Sequence, residues 1–166
     1  MLHQGIEELI LDDNAIDHVG VRALGEYLSV LMTADMDPRA YKDGTIDKSV
    51  SQLRKISLAL NNVAEPGAKF LASAIKVNTK LKQLDLSANA ITDAGAQQLA
   101  ACIPSTDTLE ILNLSQNYVS SPSCFVFARV LKGHPSMKVL NLNRNPHPSL
   151  NLNRNFNLNL RYEALN

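Results

Sequence analysis

The side chains that most often carry out chemistry are present in this chain, but their spacing does not build a reactive site. The candidate metal ligands and nucleophiles are His3, His18, His134, His147, Cys102 and Cys124. No two of them stand in the H-x-x-x-H or C-x-x-C spacing that zinc sites use. No serine lies in a G-x-S-x-G motif, and no glycine-rich loop is suited to hold a phosphate. We therefore predict that the protein is not an enzyme and binds no cofactor or metal.

A run of aspartates is the pattern closest to a metal site. It comprises Asp35, Asp37, Asp43 and Asp47. An EF-hand calcium loop starting at Asp35 would need glycine at its sixth position and glutamate at its twelfth, where this chain has Ala40 and Ile46. We therefore interpret the run as a solvated loop. Because long loops are often functional, it is also a secondary candidate for partner contact.

The overall charge and composition narrow the classes of partner. Lysine and arginine number 16 and are balanced by 16 aspartates and glutamates, so no net field attracts nucleic acid or an anionic membrane. The two cysteines lack the dense spacing of a secreted disulfide framework, and no apolar stretch approaches the ~18 residues of a membrane-spanning helix. The first five residues do not resemble a signal peptide. These features predict a cytoplasmic protein that contacts neither nucleic acid nor membrane.

The dominant feature of the chain is an internal repeat. The pattern L-x-x-L-x-L-x-x-N, with isoleucine or methionine in place of some leucines, occurs as Ile6-Leu9-Leu11-Asn14, Leu53-Ile56-Leu58-Asn61, Leu81-Leu84-Leu86-Asn89, Leu109-Leu112-Leu114-Asn117 and Met137-Leu140-Leu142-Asn145. The last four asparagines are 28 residues apart, whereas Asn14 and Asn61 are 47 apart, which is 19 more than one repeat. An insertion near residues 32–51 accounts for that difference, because the first helix should end near Leu31.

Each of the first four units continues from its asparagine into a helical half. Positions two, six, ten and fourteen after the asparagine carry Ile16, Gly20, Leu24 and Leu28; Val63, Gly67, Leu71 and Ile75; Ile91, Gly95, Leu99 and Ile103; and Val119, Ser123, Phe127 and Leu131. Alternate apolar residues before the asparagine predict a strand, and apolar residues four apart after it predict a helix. Asp17, Thr92 and Ser120 stand at the N-cap positions, whereas the second repeat has Ala64 there and lacks a cap. Cys124 takes a small-residue position and is predicted to pack rather than react.

The repeated asparagines are predicted to hold the turn from strand to helix. Where the chain bends, an amide side chain can pair with backbone groups that the bend leaves without partners. Stacked repeats would align a structural ladder of Asn14, Asn61, Asn89, Asn117 and Asn145. A single unit cannot bury its own leucines, so neighbouring units must share one continuous core. We therefore predict an α/β fold in which residues 1–145 form about five repeats.

With these motifs, residues 6 to about 145 resemble the ribonuclease-inhibitor-like class of leucine-rich repeats. That class includes ribonuclease inhibitor, the Ran GTPase-activating protein, the C-terminal domain of tropomodulin and the repeat domains of innate-immune receptors. The resemblance implies a right-handed βα superhelix, or solenoid, with parallel strands on its concave face and helices on its convex face. It also implies a partner protein that binds the concave face.

The residues between the buried leucines should point outward on the concave face. The predicted partner-binding residues are Glu8, Asp12, Lys55, Ser57, Gln83, Asp85, Ser87, Asn113, Ser115, Asn141 and Asn143, with Ile10, Ala59, Ile111 and Val139 between them. The set contains no Trp or Tyr, the residues that often anchor tight interfaces, so we expect modest affinity. Beside it, Arg54, Lys82 and Lys138 form a column that Glu7 and Glu110 interrupt, which indicates either a weak basic edge or a solvated rim.

The repeat pattern stops at Asn145. His147 and Asn151 replace the expected isoleucine and glycine, and Pro146 and Pro148 oppose a helix start. In residues 146–166 the apolar positions that alternate with polar ones are Leu150, Leu152, Phe156, Leu158 and Leu160. Two interpretations stay open: a strand that caps the end of the core, or an Asn-rich low-complexity tail. Because the first repeat begins at Ile6 with no evident N-terminal cap, we also expect the chain to be a fragment or part of a larger assembly.

These observations favour a non-enzymatic protein-interaction scaffold that binds a partner protein through the concave face. The resemblance to leucine-rich-repeat proteins also implies two alternatives. One is regulation of a GTPase, in the manner of the Ran GTPase-activating protein. The other is a cytoskeletal role, either actin capping or a structural role in a cilium.

Overall fold

The protein alternates strands and helices along the chain. The computed structural model describes residues 6–33, 53–145 and 159–161. Its elements in chain order are β1 (Glu8–Ile10), α1 (His18–Thr33), β2 (Lys55–Ser57), α2 (Ala64–Val77), β3 (Gln83–Asp85), α3 (Asp93–Cys102), a 3₁₀-helix (Ile103–Ser105), β4 (Ile111–Asn113), α4 (Ser121–Leu131), β5 (Val139–Asn141) and β6 (Asn159–Arg161). The α/β class predicted from the sequence is confirmed.

The strands form one sheet whose spatial order is the chain order, β1 to β6. Strands β1 to β5 are parallel, and their central residues pair in one row: Leu9, Ile56, Leu84, Leu112 and Leu140. Each parallel pairing joins residues at the same position of adjacent repeats, which are 28 residues apart from β2 to β5 and 47 residues apart between β1 and β2. Strand β6 is antiparallel to β5, with Asn159 opposite Asn141.

The core lies where strand leucines meet the apolar residues of the helices. The central residues of β2 to β5 are buried, and the Phe127 side chain of α4 is fully buried among them. In β1, Leu9 and Leu11 are only partly buried, because β1 is the edge strand of the sheet. The stacked repeats therefore bury each other's leucines, as expected for units too small to have a core of their own.

Glycine at the sixth position after the asparagine lets neighbouring helices approach closely. A Cβ added to Gly95 would lie 3.1 Å from the Cβ of Ala68 and 3.3 Å from the Cα of Glu65, both in the preceding helix. The fourth repeat has Ser123 at this position, and its hydroxyl donates instead to the Asp93 carboxylate of α3. The contact between adjacent helices therefore depends on a small residue here.

The helix starts differ in how they are capped. The Asp17 carboxylate accepts hydrogen bonds from the backbone N–H groups of Val19 at 2.9 Å and Gly20 at 3.2 Å, which is N-cap geometry. Thr92 and Ser120 occupy the N-cap positions of α3 and α4 but form no side-chain cap. The prediction of capping is therefore wrong for these two residues. In Ser120 the reason is competition, because its hydroxyl donates to the carboxylate of Asp93 in the preceding repeat.

Two irregular segments predicted from the sequence fall mostly outside the described ranges. Helix α1 extends to Thr33, so the first two residues of the predicted insertion at 32–51 are helical, and the rest of it is not described. Within residues 146–166 the structure describes only β6, which contains Leu160. The C-terminal cap and the low-complexity tail both stay predictions.

Candidate functional site

The outward side chains of the parallel strands form a surface that we call the strand face. It consists of three rows, one residue per repeat in each row: Glu8, Lys55, Gln83, Ile111 and Val139; Ile10, Ser57, Asp85, Asn113 and Asn141; and Asp12, Ala59, Ser87, Ser115 and Asn143. The first two rows follow the strand register, and the third lies two residues beyond the second. Residues far apart in sequence are thus brought within one strand spacing, about 4.8 Å, of each other.

The first row combines one ion pair with neutral side chains. Lys55 Nζ lies 3.1 Å from Glu8 Oε2, and both side chains are substantially solvent-exposed. Gln83 is exposed, whereas Ile111 and Val139 are half-buried. This row therefore changes from charged to apolar along the sheet.

The second row is held in place by hydrogen bonds within the face. Asp85 Oδ1 accepts from the backbone N–H and hydroxyl of Ser87, at 2.8 and 2.7 Å, and Asp85 Oδ2 accepts from Asn113 Nδ2 at 2.8 Å. Asn141 Oδ1 accepts from the backbone N–H of Asn143 at 3.0 Å. These bonds fix the side-chain orientations before any partner arrives, so little side-chain freedom is lost on binding.

Two members of the predicted partner-binding set are not accessible. Ser57 is 6% exposed and Ser115 is 7% exposed, so the expectation that both point into solvent is wrong. The Ser57 hydroxyl donates to Asp12 Oδ1 at 2.6 Å, and the same carboxylate oxygen accepts the backbone N–H of Ala59 at 2.8 Å. The carboxylate of Asp12 therefore covers Ser57. In the fourth repeat, Asn113 Oδ1 accepts the backbone N–H of Ser115 at 3.1 Å.

A shallow groove of about 190 Å³ runs across the strand face. Its walls include Lys55, Gln83, Asp85, Asn113, Asn141, Ile111 and Val139. The apolar side chains of Ile111 and Val139 lie at the end toward β5, and the charged ones at the end toward β2. Across the whole face, Glu8, Asp12 and Asp85 outweigh Lys55, so the surface carries excess negative charge.

Two lysines of the basic column predicted beside the face share one acidic partner. Glu110 lies between Lys82 and Lys138, with Oε1 at 3.0 Å from Lys82 Nζ and Oε2 at 2.6 Å from Lys138 Nζ. Hydrogen bonds from Lys138 and Lys82 lower the pKa of the Glu110 carboxyl, against a smaller opposing effect of burial. The 28-residue step could have revealed this network, since it places position 110 between positions 82 and 138. The weak basic edge and the solvated rim both stay predictions.

Four of the repeated asparagines connect adjacent repeats through the backbone. In three of the four pairs of neighbours, the side-chain oxygen of the later asparagine accepts the backbone N–H of the earlier one. These bonds are Asn14 to Asn61 at 3.1 Å, Asn89 to Asn117 at 3.0 Å and Asn117 to Asn145 at 3.0 Å. Asn89 Oδ1 accepts instead from the N–H of Val63 at 3.2 Å. Asn14 is exposed, and its own Nδ2 donates only locally, to the Asp12 carbonyl at 2.8 Å.

The cysteines and the histidine considered as reactive residues are held by burial or by hydrogen bonds to the backbone. Burial raises the pKa of the Cys102 thiol to about 12, and burial followed by the nearby Asp93 charge raises that of Cys124. His134 Nδ1 accepts the backbone N–H of Met137 at 3.2 Å, so its Nε2–H donates to the Ile103 carbonyl at 2.9 Å. Within residues 6–33, 53–145 and 159–161, no three His, Cys, Asp or Glu residues cluster as metal ligands. No helix in those same ranges is long and apolar enough to cross a membrane.

Comparison with known proteins supports the repeat. No curated protein matches the chain. The family model described as Leucine Rich repeat matches residues 77–100, which contain β3 and most of α3. Proteins with this repeat generally act through protein–protein interaction and are typically not enzymes. The match and the repeating strand–helix architecture together support a leucine-rich repeat protein with a protein-interaction role.

Proposed function

We propose that this protein is a non-enzymatic scaffold that binds a partner protein through the strand face. The observation that supports this proposal most strongly is the groove across β2 to β5, lined by side chains that internal hydrogen bonds already orient. An extended segment of a partner laid across the strands would meet one residue from each repeat in turn. Such a segment would gain affinity from many small contacts rather than from one aromatic anchor.

The finer architecture is part of the same proposal. We propose a right-handed solenoid of the ribonuclease-inhibitor-like class in which the strand face is concave. The 28-residue register and the successive contacts from α1 through α4 support it, because stacked strand–helix units curve toward the narrower strand layer. We also propose a cytoplasmic location, which the two free cysteines, Cys102 and Cys124, support. Imaging of a fluorescent fusion protein tests this location.

The test of the strand face blocks the groove without touching its hydrogen bonds. Gln83 and Ile111 are paired in register on β3 and β4, so the double variant Gln83→Arg/Ile111→Arg fills the groove with two long cationic side chains. We expect partner capture from the protein's own cell extract to fall by at least about tenfold, as for the loss of a central contact. Quantitative mass spectrometry of the captured proteins measures the change.

A charge-matched control separates blocking from a general effect of added charge. Gln98 and Ala101 are exposed on α3, so Gln98→Arg/Ala101→Arg adds the same charge away from the strands and should leave capture unchanged. Urea unfolding curves must show that both variants are folded at the temperature of the capture experiment. Equal capture by the groove variant and the wild type would refute the assignment of function to the strand face.

A further inference from the structure

Helix α4 differs from the first three helices in the burial of the side that faces the next repeat. We compare the seventh and eleventh residues after each ladder asparagine, which lie on the side facing the next repeat. In the first three repeats all six are buried: Val21 and Gly25, Ala68 and Ala72, and Ala96 and Ala100. The next helix packs against these residues. For example, a Cβ added to Gly25 would lie 3.4 Å from the carbonyl oxygen of Phe70 in α2. In α4 the corresponding Cys124 is half-buried and Ala128 is exposed.

The eighth residue after the asparagine also changes in the fourth repeat. Earlier repeats carry polar residues there, Arg22, Lys69 and Gln97, whereas α4 carries Phe125, which is 77% exposed. This position reaches toward the next helix, because the Arg22 guanidinium lies 5.8 Å from the ring centroid of Phe70. The last helix of a repeat array usually needs a polar outer side for solubility. We call Cys124, Phe125 and Ala128 the open side of α4.

The rim of the open side is basic. Arg129 and Lys132 follow Phe125 at four and seven residues, so they lie along the same stripe of the helix. Both are exposed, and neither forms an ion pair with any other described residue. In α1, by contrast, Arg22 is paired with Glu26 at 2.7 Å. Helix α4 contains no acidic residue at all.

We propose that the open side of α4 docks an amphipathic helix of a partner protein that carries acidic residues beside its apolar stripe. The small Cys124 and Ala128 admit a closely packed helix, as the equivalent residues do between repeats. Phe125 supplies a large apolar contact, and the basic rim selects acidic flanks. Packing α4 against α4 of a second copy would bring like charges together at Arg129 and Lys132. This surface is separate from the strand face, so it extends the proposed function and does not depend on it.

The experiment uses two synthetic helical peptides of about 20 residues with the same Ala/Leu stripe. One has Glu beside the stripe, and the other has Lys at the same positions. Titrated into the full chain and followed by fluorescence anisotropy, the Glu peptide should bind at least about tenfold more tightly. Phe125→Gln removes the apolar ring without adding charge and should weaken binding of the Glu peptide by about tenfold. Because the third repeat has Gln97 at the equivalent position, this variant is compatible with the helix.

Two further measurements place the peptide on the surface. Arg129→Glu/Lys132→Glu should reverse the preference between the peptides, and alkylation of the Cys124 thiol should slow when the Glu peptide is bound. Val19→Gln, which changes an exposed apolar residue on α1, is the matched control and should leave the affinity unchanged. Equal binding of both peptides, or unchanged binding by Phe125→Gln, would overturn the proposal. A concentration-dependent doubling of mass that Phe125→Gln abolishes would assign the surface to a second copy and overturn it as well.

Discussion

Replacement of Asn117 by alanine should destabilise the protein far more than the same change at Asn14. Asn117 is 2% exposed, and its Oδ1 accepts the backbone N–H groups of Asn89 at 3.0 Å and Ile91 at 2.9 Å. Its Nδ2 donates to the Leu86 carbonyl of the preceding repeat at 2.8 Å. One amide thus joins two repeats at their turns.

The magnitude follows from the groups left without partners. Asn117→Ala leaves two buried N–H donors unsatisfied, and each costs about 1–3 kcal/mol, so we expect a loss of about 2–6 kcal/mol. A domain of ordinary stability has about 5–15 kcal/mol in total, so the variant loses a large share. Asn14→Ala removes only the local bond from an exposed side chain to the Asp12 carbonyl. Its cost should stay within about 0.5 kcal/mol.

Urea unfolding measures both losses, and hydrogen exchange locates the first of them. In Asn117→Ala, the amides of Asn89 and Ile91 should lose protection before those of the other repeats. The m-value should stay unchanged if unfolding remains cooperative. If Asn117→Ala and Asn14→Ala cost the same, or if the two amides keep their protection, the assignment of the ladder as the connection between turns is wrong.

Three further predictions concern packing, acid stability and backbone conformation. Gly95→Ala should destabilise by about 1–3 kcal/mol in urea unfolding, because its Cβ would meet that of Ala68 at 3.1 Å. Burial opposes ionisation of Asp93, but hydrogen bonds from Ser120 and Ser123 outweigh it and lower its pKa below the usual 3.8. This contribution to stability is present above pH 3.8 and is lost as the pH falls through the folded pKa, so Asp93→Asn should flatten the acid limb of the pH–stability curve. Ala88 has a φ of 54°, so thermal unfolding should show Ala88→Val to cost about 1–2 kcal/mol more than Ala88→Gly.

The positions of the strands could be predicted from the sequence because one local pattern recurs at a fixed step. Alternation around Leu84 and Leu112 predicts which side chains enter the core, and the 28-residue period predicts which residues become neighbours. The pairing of Gln83 with Ile111 confirms that reasoning in the sheet. A repeat contains this information because each unit packs against a near copy of itself.

The depth of each side chain on the strand face could not be predicted in the same way. Alternation gives the side of the sheet on which Ser57 lies, but its burial depends on the Asp12 carboxylate, 45 residues earlier, that covers it. The capping of α4 failed for a related reason, since Ser120 donates to Asp93 rather than to its own helix. In both cases a serine hydroxyl donates a hydrogen bond to a carboxylate of another repeat rather than to a group nearby in the sequence. Patterns within one repeat do not resolve such choices.

The repeat also separates the residues that stabilise the fold from those available for recognition. Within β3, Leu84 is buried while its neighbours Gln83 and Asp85 reach the strand face, so one strand serves both purposes. A change at Gln83 can alter partner contact at little cost in stability, whereas a change at Leu84 would disturb two adjacent repeats. Phe125 departs from this separation, because it places a core-type side chain at a position that earlier repeats give to polar residues. A binding surface therefore explains Phe125 better than a stabilising role does, since its ring contributes little to the core at 77% exposure.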